Sequence, residues 1–260
     1  MSDVPGREAV RVDRREGGAV WGVTLGGARG NVLDESAIAS LTELFREAAG
    51  AKDLKAVVLS GSGGHFSFGA SVPEHLPGQV ERMLPAFHEM FRALFDSAVF
   101  THAVVRGRCL GGGLELVTAC HRVAAAPDAM MGQAEIVLGV FAPVASLLLP
   151  ERVGRRHAED LCLSGRTVDA TEARSMGLVD EVAADPEAAA WEWIRRHVLP
   201  RSAISLRYAN RAVRADLRRR LDGELASLER LYLEGLMSTS DASEGLRAFL
   251  EKRTATWSNT

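Results

Sequence analysis

The sequence has no apolar run long enough to cross a membrane; its hydrophobic stretches are short and are cut by glycine, arginine or proline. Cysteine is scarce: Cys109, Cys120 and Cys162 are odd in number and lack any CxxC spacing. That pattern argues against a disulfide framework and a cysteine-rich zinc site, and it fits a reducing compartment. Residues 1–18 carry charges throughout and no apolar segment, so no secretory leader is expected. A basic excess is also lacking. The 31 Lys and Arg against 34 Asp and Glu leave a net charge of −3, which argues against a dedicated nucleic-acid binder. These absences lead us to expect a cytoplasmic protein with neither membrane nor nucleic acid among its partners. What is present is ordinary globular composition, 47% apolar over 260 residues, enough to bury a sizeable core without staples.

Proline and glycine are unevenly placed. All 9 prolines precede position 201, and beyond it only Gly223, Gly235 and Gly245 remain. The spacing predicts a turn-rich α/β body over residues 1–200 and a helical region over 201–260. In the body, AVWGVTL (19–25), KAVVLSG (55–61) and HAVVRG (102–107) are short β-branched runs ending near glycine, which reads as buried strands. SAIASLTELFREAAG (36–50) has helical spacing with a glycine stop, and 79–97 is a second helix with Pro85 as its start or kink. A third helix is expected after the triple glycine at 111–113. Beyond Pro200, residues 202–219, 222–239 and 243–253 each read as an amphipathic helix. The Arg218–Arg219–Arg220 run is flanked by acids and lacks interleaved aromatics, so a solvated helix face is the better reading.

Several familiar chemistries are missing. Neither Gly61–Phe66 nor the glycines at 111–113 complete GxGxxG, because Phe66 and Leu116 stand where the last glycine belongs. There is no GxxxxGK[ST] loop, no GxSxG elbow around Ser67, and no HExxH among the seven histidines. What remains is two glycine-rich turns and two acids. GSGGHFSFGASVPEH (61–75) and RGRCLGGGLELVTAC (106–120) each follow a strand, and the second runs into a helix. Backbone N–H groups freed at two such turns can form an oxyanion hole, which polarises a carbonyl and stabilises an enolate. Glu115 lies in an apolar helix turn and Glu135 in the small, apolar stretch MMGQAEIVLGVF. Buried carboxylates with separated pKa values suit acid–base work near neutral pH, although a spacing of 20 residues cannot show that they meet.

HFSFGAS, RGRCLGGGLELVTACHRVAAAPDAMMGQAEIVLGVFAP, LPERVG, LSGRTVDATEARSMGLVDEV and EGLRAFLEKR, in that order, resemble the crotonase (enoyl-CoA hydratase/isomerase) superfamily over nearly the whole chain. The resemblance implies a spiral of ββα turns with a C-terminal helical trimerisation region, and a homotrimer or a dimer of trimers. It implies that the N–H groups of Ala70 and Gly112 bind a thioester oxygen. Glu115 and Glu135 match the two family glutamates; Glu115 would help to deprotonate water and Glu135 would give a proton to carbon. Retention of both acids suits a hydratase acting on an acyl-CoA, with coenzyme A as part of the substrate and no cofactor or metal.

The sequence departs from the family's pattern at Ser71, which replaces an Asp, at Ala134, which replaces a Pro, and at His121, which replaces an Asp. Phe141–Ser146 replaces a glycine-rich stretch. SFGAS with VPEHLP, and GVFAPVASLLLPERVG, resemble the cyclohexa-1,5-diene-1-carbonyl-CoA hydratase branch, which acts during reductive breakdown of benzoyl-CoA. That implies a cyclic dienoyl-CoA substrate. Gly69, Ser71, His75, Phe141, Arg29 and Lys252 are the further candidate substrate contacts, the resemblance implying that Lys252 with Phe249 could serve a neighbouring subunit's site. The alternatives are an isomerase, a decarboxylase, a ring hydrolase or a short-chain hydratase on the same scaffold, or a non-catalytic or RNA-associated scaffold.

Overall fold

The computed structural model describes residues 8–27 and 30–260. The body is built from β1 (Val10–Arg15), β2 (Val20–Leu25), α1 (Glu35–Gly50), β3 (Ala56–Gly61), α2 (Val80–Ser97), β4 (Phe100–Val105), β5 (Arg108–Leu110) and α3 (Gly112–Ala119). It continues through β6 (Arg122–Ala125), β7 (Met130–Gly132), α4 (Pro143–Ser164), β8 (Thr167–Asp169), α5 (Ala170–Ser175), β9 (Glu181–Val182) and α6 (Pro186–His197). Three helices close the chain: α7 (Ala203–Val213), α8 (Ala215–Arg230) and α9 (Ser240–Leu250).

The strands form two sheets. The larger has the order β1-β2-β3-β4-β6-β9, antiparallel at β1/β2 and parallel elsewhere; the smaller has the order β5-β7-β8. Successive passes of the chain place one strand in each sheet: β4 then β5, β6 then β7. Parallel bridges Leu33–Ala70 and Ser67–Cys109 extend the small sheet to the earlier passes. The result is the α/β spiral that the sequence led us to expect. Parallel strands covered on both faces must be apolar throughout, and β3 and β4 are buried along most of their length. α1 and α2 cover one face of the large sheet within the main core, whereas α6 packs Trp191 and Ile194 on the other.

The C-terminal helices share the main core, to which they contribute Leu221, Leu225, Tyr232 and Leu246. Arg207 on α7, 5% exposed, donates to the carbonyls of Ala48 and Ala51 at the end of α1 and of Ser97 at the end of α2. One cation therefore satisfies the orphan acceptors of two helices. The Arg218–Arg220 run pairs with Asp96, Asp222, Asp216 and Glu151.

Three element boundaries differ from the sequence reading. α2 starts at Val80 and runs through Pro85; Glu81, whose carbonyl loses its helical partner, is exposed and can be hydrated. α3 begins inside the triple glycine rather than after it. The helices expected at 202–219 and 222–239 instead break at Arg214, and α8 runs continuously past Asp222 and Gly223. The reason is tertiary: the Arg214 guanidinium caps the carbonyl of Ala119 at 3.0 Å and lies over the Phe95 ring. No described helix is long and apolar enough to cross a membrane.

Candidate active site

Three loops leave the small sheet at one edge: the chain after Ser67, the chain after β5, and the chain after β7. Leu110 N–H donates to Ser67 O at 3.0 Å, and Gly111 N–H to Gly132 O at 2.9 Å, so the loops are tied side by side. Crevices beyond the carboxyl ends of parallel strands are where α/β folds gather ligand groups. Here the loops carry Gly69–Ser71, Gly111–Gly113 and Gln133–Glu135.

The first two loops expose backbone donors. Gly69 (φ 101°) turns the chain in a conformation that L side chains rarely adopt, and a Cβ there would lie 3.4 Å from the nitrogen of Gly112. A Cβ on Gly112 would lie 3.1 Å from the nitrogen of Ala70, so the two amides adjoin. Gly112 opens α3 and its N–H is one of the helix's orphan donors. Among the described residues neither the Ala70 nor the Gly112 N–H donates to a protein acceptor. The pair is therefore free to receive an anionic oxygen.

Glu115 occupies the first turn of α3, a helix buried along its whole length, and is 3% exposed. Its Oε1 accepts the Ala145 N–H at 2.8 Å, from the first turn of α4. The carboxylate points inward rather than to solvent. Glu135 opens the short helical turn Glu135–Leu138, half-buried, and its Oε2 accepts from Gln133 Nε2 at 2.8 Å. Gly111, with φ 50°, lets the Glu135 carboxylate come so close that any side chain at 111 would collide with it. Burial and the charge of Glu135 push the Glu115 carboxyl up to about 8, against the weaker pull of the Ala145 and Val144 N–H groups. Burial likewise pushes Glu135 up to about 7. The acids separated by 20 residues thus come close enough for the charge of one to shift the other, so they titrate as a pair.

The other sequence candidates divide. Ser71 donates its N–H to Leu33 O at 3.2 Å and presents its carbonyl to His75 Nδ1 at 2.8 Å. Since a carbonyl only accepts, Nδ1 carries the proton and His75 braces its own turn. Phe141 lies between Glu135 and α4, half-buried, with its ring centroid 5.3 Å from that of Tyr232. Lys252 is exposed after α9, and among the described residues its side chain makes no hydrogen bond or ion pair with the site. Its neighbour Phe249 lines a separate cleft of about 640 Å³ beside Ile136–Gly139. Arg29 lies outside the described residues. Sequence reasoning missed Ala145, Gln133, Gly111 and Tyr232 as parts of this region. Gly111 lay inside the triple glycine and Ala145 inside the Phe141–Ser146 departure, both noted without a role for that residue; Gln133 and Tyr232 drew no notice.

Residues 15–260 match the family described as enoyl-CoA hydratase/isomerase. The chain is 49% identical over 242 residues to the cyclohexa-1,5-dienecarbonyl-CoA hydratase of Thauera aromatica, covering 93% of this chain and 94% of that protein. It is 34% identical over 226 residues to a probable enoyl-CoA hydratase of Mycobacterium bovis, covering 86% and 88% respectively. The crystal structure of an enoyl-CoA hydratase from Mycobacterium avium superposes with a TM-score of 0.85 at 28% identity, over 97% of this chain and 100% of that one.

Proposed function

The chain belongs to the enoyl-CoA hydratase/isomerase family, and on that premise we propose that it adds water to the conjugated C=C bond of a cyclic dienoyl-CoA thioester. The observation that carries the reading is the approach of two raised carboxyls, buried Glu115 and half-buried Glu135, beside the free N–H groups of Ala70 and Gly112. In the proposed reaction those two amides receive the thioester oxygen. Glu115, ionised, takes a proton from water as the water oxygen bonds to the conjugated carbon, and the displaced electron pair moves to the thioester oxygen as an enolate. Glu135, in its acid form, then delivers a proton to carbon as the enolate collapses. Burial raises both carboxyls, Glu115 to about 8 and Glu135 to about 7, so the proton rests first on Glu115; the Ala145 N–H favours the less populated form with Glu115 ionised, which is the reactive one in this proposal. Water addition needs only proton transfer and enolate stabilisation, so coenzyme A enters as part of the substrate and no other cofactor is invoked.

Two observations support a cyclic acyl group. The Thauera relative is named for a cyclohexadiene thioester, and the rings of Phe141 and Tyr232, tilted with centroids 5.3 Å apart, are proposed to form an aromatic wall for the acyl group. Gly69, Ser71 and Phe141 are proposed to line the substrate path, with His75 bracing it; Arg29 and Lys252 are proposed contacts of the coenzyme A portion. We place the protein in the cytoplasm as a homotrimer or dimer of trimers. Exposed apolar side chains in the C-terminal region, Ile204, Tyr208, Val213, Leu231 and Phe249, support self-association. The test is incubation with cyclohexa-1,5-diene-1-carbonyl-CoA and, separately, crotonyl-CoA, following the mass gain of one water. Hydration of the cyclic diene is expected; turnover of crotonyl-CoA alone would overturn the substrate assignment.

A further inference from the structure

Tyr232 is 1% exposed, and its hydroxyl has no hydrogen-bond partner among the described residues. A phenylalanine would fill the same space without burying an unsatisfied polar group, so the hydroxyl is a net loss to the fold unless something outside the chain engages it. Its surroundings say where that engagement occurs. The ring packs on Phe141, which lies between the turn that carries Glu135 and the α4 terminus whose Ala145 N–H holds Glu115. Burial, and after it the charges of Glu135 and Glu115, push the phenol's pKa up, which keeps it a neutral donor at any working pH.

The backbone is arranged to aim this side chain. Tyr232 lies in a single π-helical turn, Leu231–Gly235, that continues α8; such turns re-aim side chains and recur at functional sites. Leu231 is 58% exposed while Tyr232 beside it is fully buried. One turn earlier Glu229 Oε2 meets the fully buried His88 Nδ1 at 2.8 Å, which pins α8 to α2. α2 also supplies Phe87, which packs against Gly112 of the oxyanion turn. The helix that supports the thioester end of the pocket is thus the one that fixes the position of Tyr232.

We propose that Tyr232 is a further catalytic residue, its hydroxyl hydrogen-bonding the oxygen atom that is added to the acyl group. This rests on the hydratase reading. No bond to Tyr232 forms or breaks; the protons stay with the two glutamates and the water, and the phenol orients the attacking oxygen and holds the product hydroxyl. The C-terminal helical region thereby contributes a hydrogen-bond donor to a site whose acids and oxyanion N–H groups come from the body.

The test is Y232F in the full-length protein, with kcat, KM and thermal midpoint measured beside wild type on the cyclic dienoyl-CoA. Loss of one neutral hydrogen bond to the reacting oxygen should lower kcat about tenfold. Because the equilibrium is unchanged, the reverse dehydration should slow by the same factor. KM should change little, and the midpoint should stay the same or rise because an unsatisfied hydroxyl has been removed. A wild-type kcat in Y232F, with wild type active, would overturn the inference alone. A lower kcat with a lower midpoint would also overturn it, since the hydroxyl would then be serving the fold. No hydration by wild type would overturn the hydratase reading, and the inference with it.

Discussion

Replacing Glu115 by glutamine should make the protein more stable while removing its chemistry. The Glu115 carboxyl is raised to about 8 from an ordinary 4.5. Above the ordinary value the unfolded chain releases this proton, whereas the folded protein keeps it until about 8. The stabilisation is therefore fully present below the unfolded pKa and is lost as pH rises through that window. One proton corresponds to ~1.4 kcal/mol per pH unit, so near neutral pH the burial of Glu115 withdraws on the order of 3 kcal/mol. Glutamine cannot ionise, and its carbonyl oxygen can still accept the Ala145 N–H seen at 2.8 Å. Glu115→Gln should exceed wild type by up to that amount at neutral pH, with the two converging under acid conditions. For a chain of this size each kcal/mol moves the thermal midpoint by roughly 2–4 °C. The hydration rate should meanwhile fall by about two to four powers of ten. Thermal melts and initial rates across mildly acid to mildly basic pH check both halves. A variant no more stable than wild type at neutral pH would refute the buried-carboxylate argument. A retained rate would refute the mechanism.

Two further outcomes are expected. Gly111→Ala puts a Cβ into the Glu135 carboxylate at a position with φ 50°. It should lower kcat by at least about tenfold through misplacement of that acid; a normal kcat with normal expression would show that Glu135 need not approach this backbone. His102, 1% exposed, is pushed down to about 3, first by burial and then by Arg122 and Arg152. As pH falls below the ordinary histidine value the unfolded chain takes up a proton that the folded protein refuses, so stability should drop by up to ~1.4 kcal/mol per pH unit until the folded pKa is reached. His102→Leu should flatten this acid limb in urea titrations, and an unchanged slope would count against the account.

The elements legible in the sequence were those whose local pattern and tertiary role agree. α1 shows its buried positions at helical spacing and ends at Gly50, and β2, β3 and β4 are β-branched because both faces are covered. β5, β7 and β8 span three residues each, too short for any period to register, yet their pairing draws the site together. The glycine turns and the two glutamates stood out by composition, since a carboxylate within LELVTAC is costly to desolvate; that Glu115 is in fact buried only the fold shows.

Residue types alone thus determined an α/β body, a helical C-terminal region, and an inventory of two acids and two glycine turns. Their meeting was decided by tertiary structure. Parallel pairing of β5 with β7 sets Gly111 beside Gly132, and with it the chain carrying Glu115 beside the chain carrying Glu135. The end of α7 is set by Arg214 reaching Ala119, which no helix pattern encodes. Tyr232 read locally as one more apolar position in an amphipathic helix. Only the fold shows a buried hydroxyl with no partner among the described residues and within the influence of two carboxylate charges, because burial and hydrogen-bond satisfaction are properties of what surrounds a residue in space.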